Sequence, residues 1–153
     1  MNKEKTIDEL NTLVEINNDR IKGYETASEH TREEELHELF SELKRTSQQC
    51  RHQLISEISH LDGEAAEGTN TSGKFFRSWM DIKSALAGED RKAILDSCQE
   101  GEEQADKTYQ SVLDDSSGHL NSDQIAMIKA QHELLKADQN KIRRLHEAMT
   151  AVS

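Results

Sequence analysis

Through most of this chain, apolar side chains recur at steps of three and four residues, and no proline interrupts them. That spacing gathers them on one face of an α-helix. A chain without proline and with seven glycines also lacks the turn formers that a loop-rich or all-β protein needs. Charged residues make up 32% and aromatics 4%, a balance that in another arrangement would mean disorder. Here the charges alternate with regularly spaced Leu and Ile, so they are the solvated faces of long helices. An amphipathic helix cannot leave its stripe in water. Closing several stripes on one another removes on the order of several thousand square ångströms of apolar surface, at roughly 25 cal/mol per Å² before entropy is subtracted.

Four segments carry the pattern. The first runs from about Ile7 to Ser28, with Thr6 and Glu9 as a capping box at its start. The second runs from about Arg32 to Leu61, with Thr31 and Glu34 as a second box and Asp62-Gly63 as the stop. A polar crossover with three glycines, "DGEAAEGTNTSG", is the longest connection. The third segment begins near Lys74, is interrupted at "AGED" and resumes through Leu113; Gly88, with Asp90 as a new cap, predicts a kink or break there. The last follows a cap at Asn121 or Ser122 and carries Ile125, Ile128, Leu135, Ile142, Leu145 and Met149. Two short connections and one long central crossover predict an all-α, antiparallel four-helix bundle of the one-crossover kind, a single domain over residues 1–153.

A formal net charge of −11 disfavours nucleic acid, which is bound by basic surface. The one basic cluster, Lys136, Lys141, Arg143 and Arg144, complements the dipole near the end of the last helix. No apolar run approaches the ~20 residues of a membrane span, and "MNKEKTIDEL" lacks the apolar core of a signal peptide. Cys50 and Cys98 show no CxxC spacing and fall on buried faces, which predicts a reduced, cytoplasmic protein.

The apolar seams turn polar near the middle of each helix, at Asn17, then Ser47 and Cys50, then Glu102, then Gln131, with Asp138 or Gln139 added to the last. Tyr24 and Tyr109 stand seven residues beyond Asn17 and Glu102. In antiparallel hairpins these positions reach one level of the bundle, the level at which two-metal carboxylate proteins keep their metals. The first helix resembles the Glu-x6-Tyr pattern of rubrerythrin and the ferritin-like proteins, with Asn17 in the Glu position; the third keeps the pattern as Glu102 and Tyr109. Ser47 and Cys50 stand where the second helix would carry Glu-x-x-His. In the fourth, Gln131 replaces the Glu and Leu134 the His. Over nearly its full length the chain resembles a bacterial family of ferritin-like bundles of unknown function, through "LNTLVEINNDRIKGYE", "FFRSWMDIKSAL", "CQEGEEQADKTY" and the Gln131 region. The resemblance implies a ferritin-like fold and a bacterial source, and no particular reaction.

That constellation offers one carboxylate, too little anionic oxygen to hold two dications. No metal and no cofactor are therefore expected, and Glu102 is expected to sit in a hydrogen-bonded layer with Asn17, Gln131 and the two tyrosines, its pKa raised by burial. Such a layer fixes helix register. Phe75, Phe76 and Trp79 crowd one short helix and plug an end of the bundle or form a dimer or partner face. His52 and His60, eight residues apart on one face, offer a surface metal contact, with plain solvation the expected reading. No nucleophile–base pair or phosphate-cradling loop occurs. The expected role is a non-catalytic interaction or stress-associated protein, self-associating as a homo-oligomer or engaging a protein partner. The alternatives are a metal-dependent oxidoreductase or storage protein using Glu102, and a small-molecule carrier with a pocket beside the polar layer.

Overall fold

The structure, a computed structural model, describes residues 2–68, 74–115 and 118–152, the side chains of 74–79 and 149–152 excepted. Among the described residues it is all-helical: α1 (Lys3–His30), α2 (Glu34–His60), α3 (Lys74–Ala87), α4 (Arg91–Asp115) and α5 (Ser122–Val152).

Helix ends show which local signals act. Asn2, not Thr6, caps α1, its side chain accepting from Lys5 N–H at 3.2 Å. Thr6 lies a turn inside, where its hydroxyl sits between the Asn2 and His119 carbonyls, either of which can accept its one proton, and ties the start of α1 to the turn before α5. The box expected at Thr31 and Glu34 does not form; Glu33 precedes α2 without a side-chain cap, and Thr31 Oγ1 accepts from Glu33 N–H at 3.3 Å. At the other end of α2 the expected stop holds. Asp62 turns left-handed (φ 58°), and Gly63 N–H returns to Ile58 O at 2.9 Å, a motif that satisfies carbonyls the last turn would leave bare. Asn121 and Gln124 open α5 with reciprocal bonds of 2.8 and 2.9 Å.

Of the kink or break expected near Gly88, the structure has a break, with a full chain reversal. Glu89 is left-handed (φ 54°), Asp90 N–H reaches Ala85 O at 3.2 Å, and Asp90 Oδ1 then caps α4 by accepting from Ala93 N–H at 3.1 Å. A closing motif followed at once by a new cap leaves no helical path through the site. The segment predicted as one interrupted helix is therefore two, and α3 packs back along α4 while also touching α1.

The crossover is tied to α1 by paired asparagines. Asn11 donates to Glu64 O (2.9 Å) and accepts from Ala66 N–H (2.8 Å); Asn18 donates to Ala66 O (3.3 Å) and Gly68 O (3.0 Å). These bonds lay residues 64–68 along α1.

Helices α1 and α2 form one antiparallel hairpin and α4 and α5 another. One apolar cluster fills the end built from Leu10, Leu13, Leu54, Ile58, Val112 and Ile128; the other fills the end built from Ala27, Leu36, Phe40, Ile82, Leu95 and Ile142. Between them lies a layer of buried polar side chains.

Candidate functional site

The inward register of α1 is Leu13, Asn17, Arg20, Tyr24, Ala27, each three or four residues from the last and each fully or almost fully buried. Ile21, the apolar residue beside Arg20 in the sequence, is only half-buried, on the groove beside Lys22 and Arg51. A guanidinium takes its place in the centre of the molecule.

Arg20 is fully buried and bridges all four long helices. Its Nε and Nη2 both donate to Glu102 Oε1 on α4, each at 3.0 Å; Nη2 also reaches Asp138 Oδ2 on α5 at 3.3 Å, and Nη1 donates to Ser47 Oγ on α2. The guanidinium carbon lies 5.5 Å from the ring centre of Tyr24, whose hydroxyl donates to Glu102 Oε1, and Tyr24 stacks on Phe40 at 5.9 Å. Asp138 turns its other oxygen towards Lys141 at 3.7 Å, and half-exposed Lys141 reaches Glu42 at 3.1 Å. Burial opposes the charge on Arg20, but Glu102, Tyr24 and Asp138 outweigh it and hold the guanidinium protonated, above its ordinary range. Burial likewise raises the Glu102 carboxyl, while the Arg20 charge and hydrogen bonds from Tyr24 and Arg20 pull it back. Withdrawing such charges from water costs several kcal/mol per ion, offset only when each finds close partners.

A second group of polar side chains lies next to this one. Asn17 donates to Leu13 O and to Tyr109 Oη, both at 2.8 Å; Tyr109 donates onward to Gln131 Oε1 at 2.8 Å; Gln131 donates to Gln53 Oε1 (3.0 Å) and Cys50 O (3.3 Å). His132 stacks on Tyr109 at 5.9 Å and meets Asp106 at 2.6 Å. Burial raises both tyrosine phenols well above their ordinary value. It pushes the Cys50 thiol up to about 11 and raises Cys98 further, so neither is a thiolate nucleophile at neutral pH.

The chain matches a known family over most of its length, up to the end of α4. The family model for a domain of unknown function, DUF2383, covers residues 5–115, from α1 to the end of α4. The chain belongs to the DUF2383 family. No curated protein matches it. Within the DUF2383 match lie Asn17, Arg20, Tyr24, Ser47, Cys50, Glu102 and Tyr109; Gln131 and Asp138, on α5, complete the layer from outside it.

The structure brings together the seven residues singled out for the polar layer, takes Asp138 of the two candidates on the last helix, and adds Arg20. Leu134, placed by the pattern where a fourth helix would carry His, instead points to solvent, 45% exposed. Asp138 is buried and Gln139 half-buried, which resolves the choice between them. His52 and His60 are exposed. Phe75, Phe76 and Trp79 lie on α3, with side chains outside the described residues. Among the described residues, no group of three or more His, Cys, Asp or Glu suited to a metal occurs, and among them no helix is long and apolar enough to cross a membrane. A cavity of about 650 Å³ opens at the Gly88 end, lined by His30, Arg32, Lys83, Leu86, Arg91 and Ile94 among others, and none of its lining residues belongs to the polar layer.

Proposed function

We propose that this chain is a non-catalytic, ferritin-like helical bundle whose mid-bundle layer serves register and stability, and that it acts through protein contacts, first with a second copy of itself. One observation carries the reading: the centre of the layer is filled by the chain's own guanidinium, bonded to Glu102, Asp138 and Ser47. A metal pair does not fit. Its place would fall between two carboxylates already committed to Arg20, and the other inward positions, Asn17, Ser47, Cys50 and Gln131, supply neutral groups too weak to neutralise two dications. Acid–base work needs two groups of opposed role at one reachable site; Glu102 and Asp138 are sealed from solvent and share one cation.

Two antiparallel hairpins joined by a crossover support the ferritin-like kinship. Two buried, unbridged cysteines support a reducing, cytoplasmic setting. Phe75, Phe76 and Trp79 on α3 are the proposed contact face, rich in the residue types that anchor interfaces. Two measurements on the purified protein test the reading. Elemental analysis is expected to find far less than one iron, manganese or zinc per chain, and light scattering on a sizing column is expected to give a dimer mass. A metal at one or two equivalents would restore the oxidoreductase or storage alternative; a monomer at all concentrations would remove self-association.

A further inference from the structure

We infer that the mid-bundle layer is a cation site that supplies its own cation: Arg20 fills an all-oxygen cage of Glu102, Asp138 and Ser47, and the cage emptied of that side chain takes a free guanidinium ion or a hard divalent cation. The inference rests on the metal-free reading above and deepens it.

Three observations converge on it. Both carboxylates are sealed from water, with side chains 1% and 3% exposed, and both aim an oxygen at the same nitrogen, Arg20 Nη2, at 3.0 and 3.3 Å. The remaining contacts fit a planar cation: a hydroxyl from Ser47 at Nη1, and the Tyr24 ring 5.5 Å from the guanidinium carbon. Glu102 Oε2 is buried without a hydrogen-bond partner among the described residues, so the cage retains unused anionic donor capacity. Without Arg20, two buried carboxylates would face each other with only half-exposed Lys141 nearby, 3.7 Å from the far oxygen of Asp138. Buried charge of that kind recruits a counter-cation or a proton. An oxygen-only set of two carboxylates and a hydroxyl suits a hard dication of the manganese, magnesium or calcium type rather than a thiophilic one.

Removing the guanidinium tests this. The Arg20→Ala variant is expected to melt well below the native chain, and to recover on adding low-millimolar guanidinium chloride but not equal sodium chloride. Manganese(II) is expected to do the same and to lose its free-ion magnetic resonance signal at one equivalent per chain. At a hundredfold excess over Kd the recovery in Tm is about 5–10 °C. The native chain responds to neither ion. A folded Arg20→Ala protein indifferent to both ions overturns the inference. Should Arg20→Ala fail to fold, recovery of its helicity on adding either ion supports the inference. With no such recovery, the neutral variant R20A/E102Q/D138N decides: regained helicity shows that uncompensated charge was the defect, and continued unfolding shows that Arg20 served as volume and overturns the cation site. Metal in the native protein would instead sink the metal-free reading, a result separate from the behaviour of the variants.

Discussion

At the scale of single residues, α1 is read in three directions by three neighbouring polar side chains. Asn17 points into the second polar group, Asn18 holds the crossover while accepting from Arg51 Nε at 2.7 Å, and Arg20 enters the centre. Asn17, Ser47, Glu102 and Gln131 are legible in the sequence because each breaks an apolar repeat. Arg20 is not. In "NNDRIK" a charged pair reads as a solvent face, and Ile21 offers itself for the seam. Both Arg20 and Ile21 lie three or four residues from Asn17 and Tyr24, and what separates them is strict alternation: Leu13, Asn17, Arg20, Tyr24 and Ala27 step by four, three, four and three, which Ile21 in place of Arg20 does not keep. The raised Glu102 carboxyl gives a pH test. Because burial makes the folded state bind that proton more tightly, Glu102 contributes stability that is complete below its unfolded pKa and is lost as pH rises through its folded one. The stability of the native chain minus that of Glu102→Gln, from urea melts at a series of pH values, is therefore expected to fall as pH climbs above about 4.3 and then to level. A constant difference, or one that grows with pH, contradicts a buried, proton-retaining Glu102.

At the scale of elements, the chain ends its helices with side chains that carry a conformational cost. Glu89 holds a left-handed backbone that costs a residue with a Cβ roughly 1 kcal/mol, while the next residue, Asp90, caps α4. Glu89→Gly is expected to stabilise the protein by about 0.5 kcal/mol, the relief of strain being partly offset by the greater freedom of glycine in the unfolded chain. Its exposed ion pair with Arg32 adds little to that balance. Asp90→Ala, which removes the cap, is expected to cost about 1 kcal/mol. Shifts of opposite sign in the urea midpoint, with unchanged slope, would bear this out; equal and same-signed shifts would contradict the assignment of a stop and a start to adjacent residues. The existence of the helices is legible because periodicity is local. Whether "AGED" bends a helix or reverses the chain is decided by packing of α3 on α4 and α1, which no window of sequence contains. The same holds for Thr6, whose capping pattern is used instead to reach His119 across the molecule.

At the scale of the molecule, two apolar ends hold a polar middle whose charges compensate one another: Arg20 against Glu102 and Asp138, with Lys141 at the margin. The chain as a whole carries a formal net charge of −11. On the proposed reading the layer sets how the hairpins dock, because sliding one helix would break hydrogen bonds shared among four. Everything in this account depends on a guanidinium locked in that centre. Hydrogen exchange at the arginine Nε–H groups, followed by nitrogen-15 magnetic resonance in deuterated solvent, tests it most directly. One arginine Nε–H is predicted to persist for hours, and to be the signal lost in Arg20→Lys; exchange of every arginine Nε–H within the dead time would contradict the account.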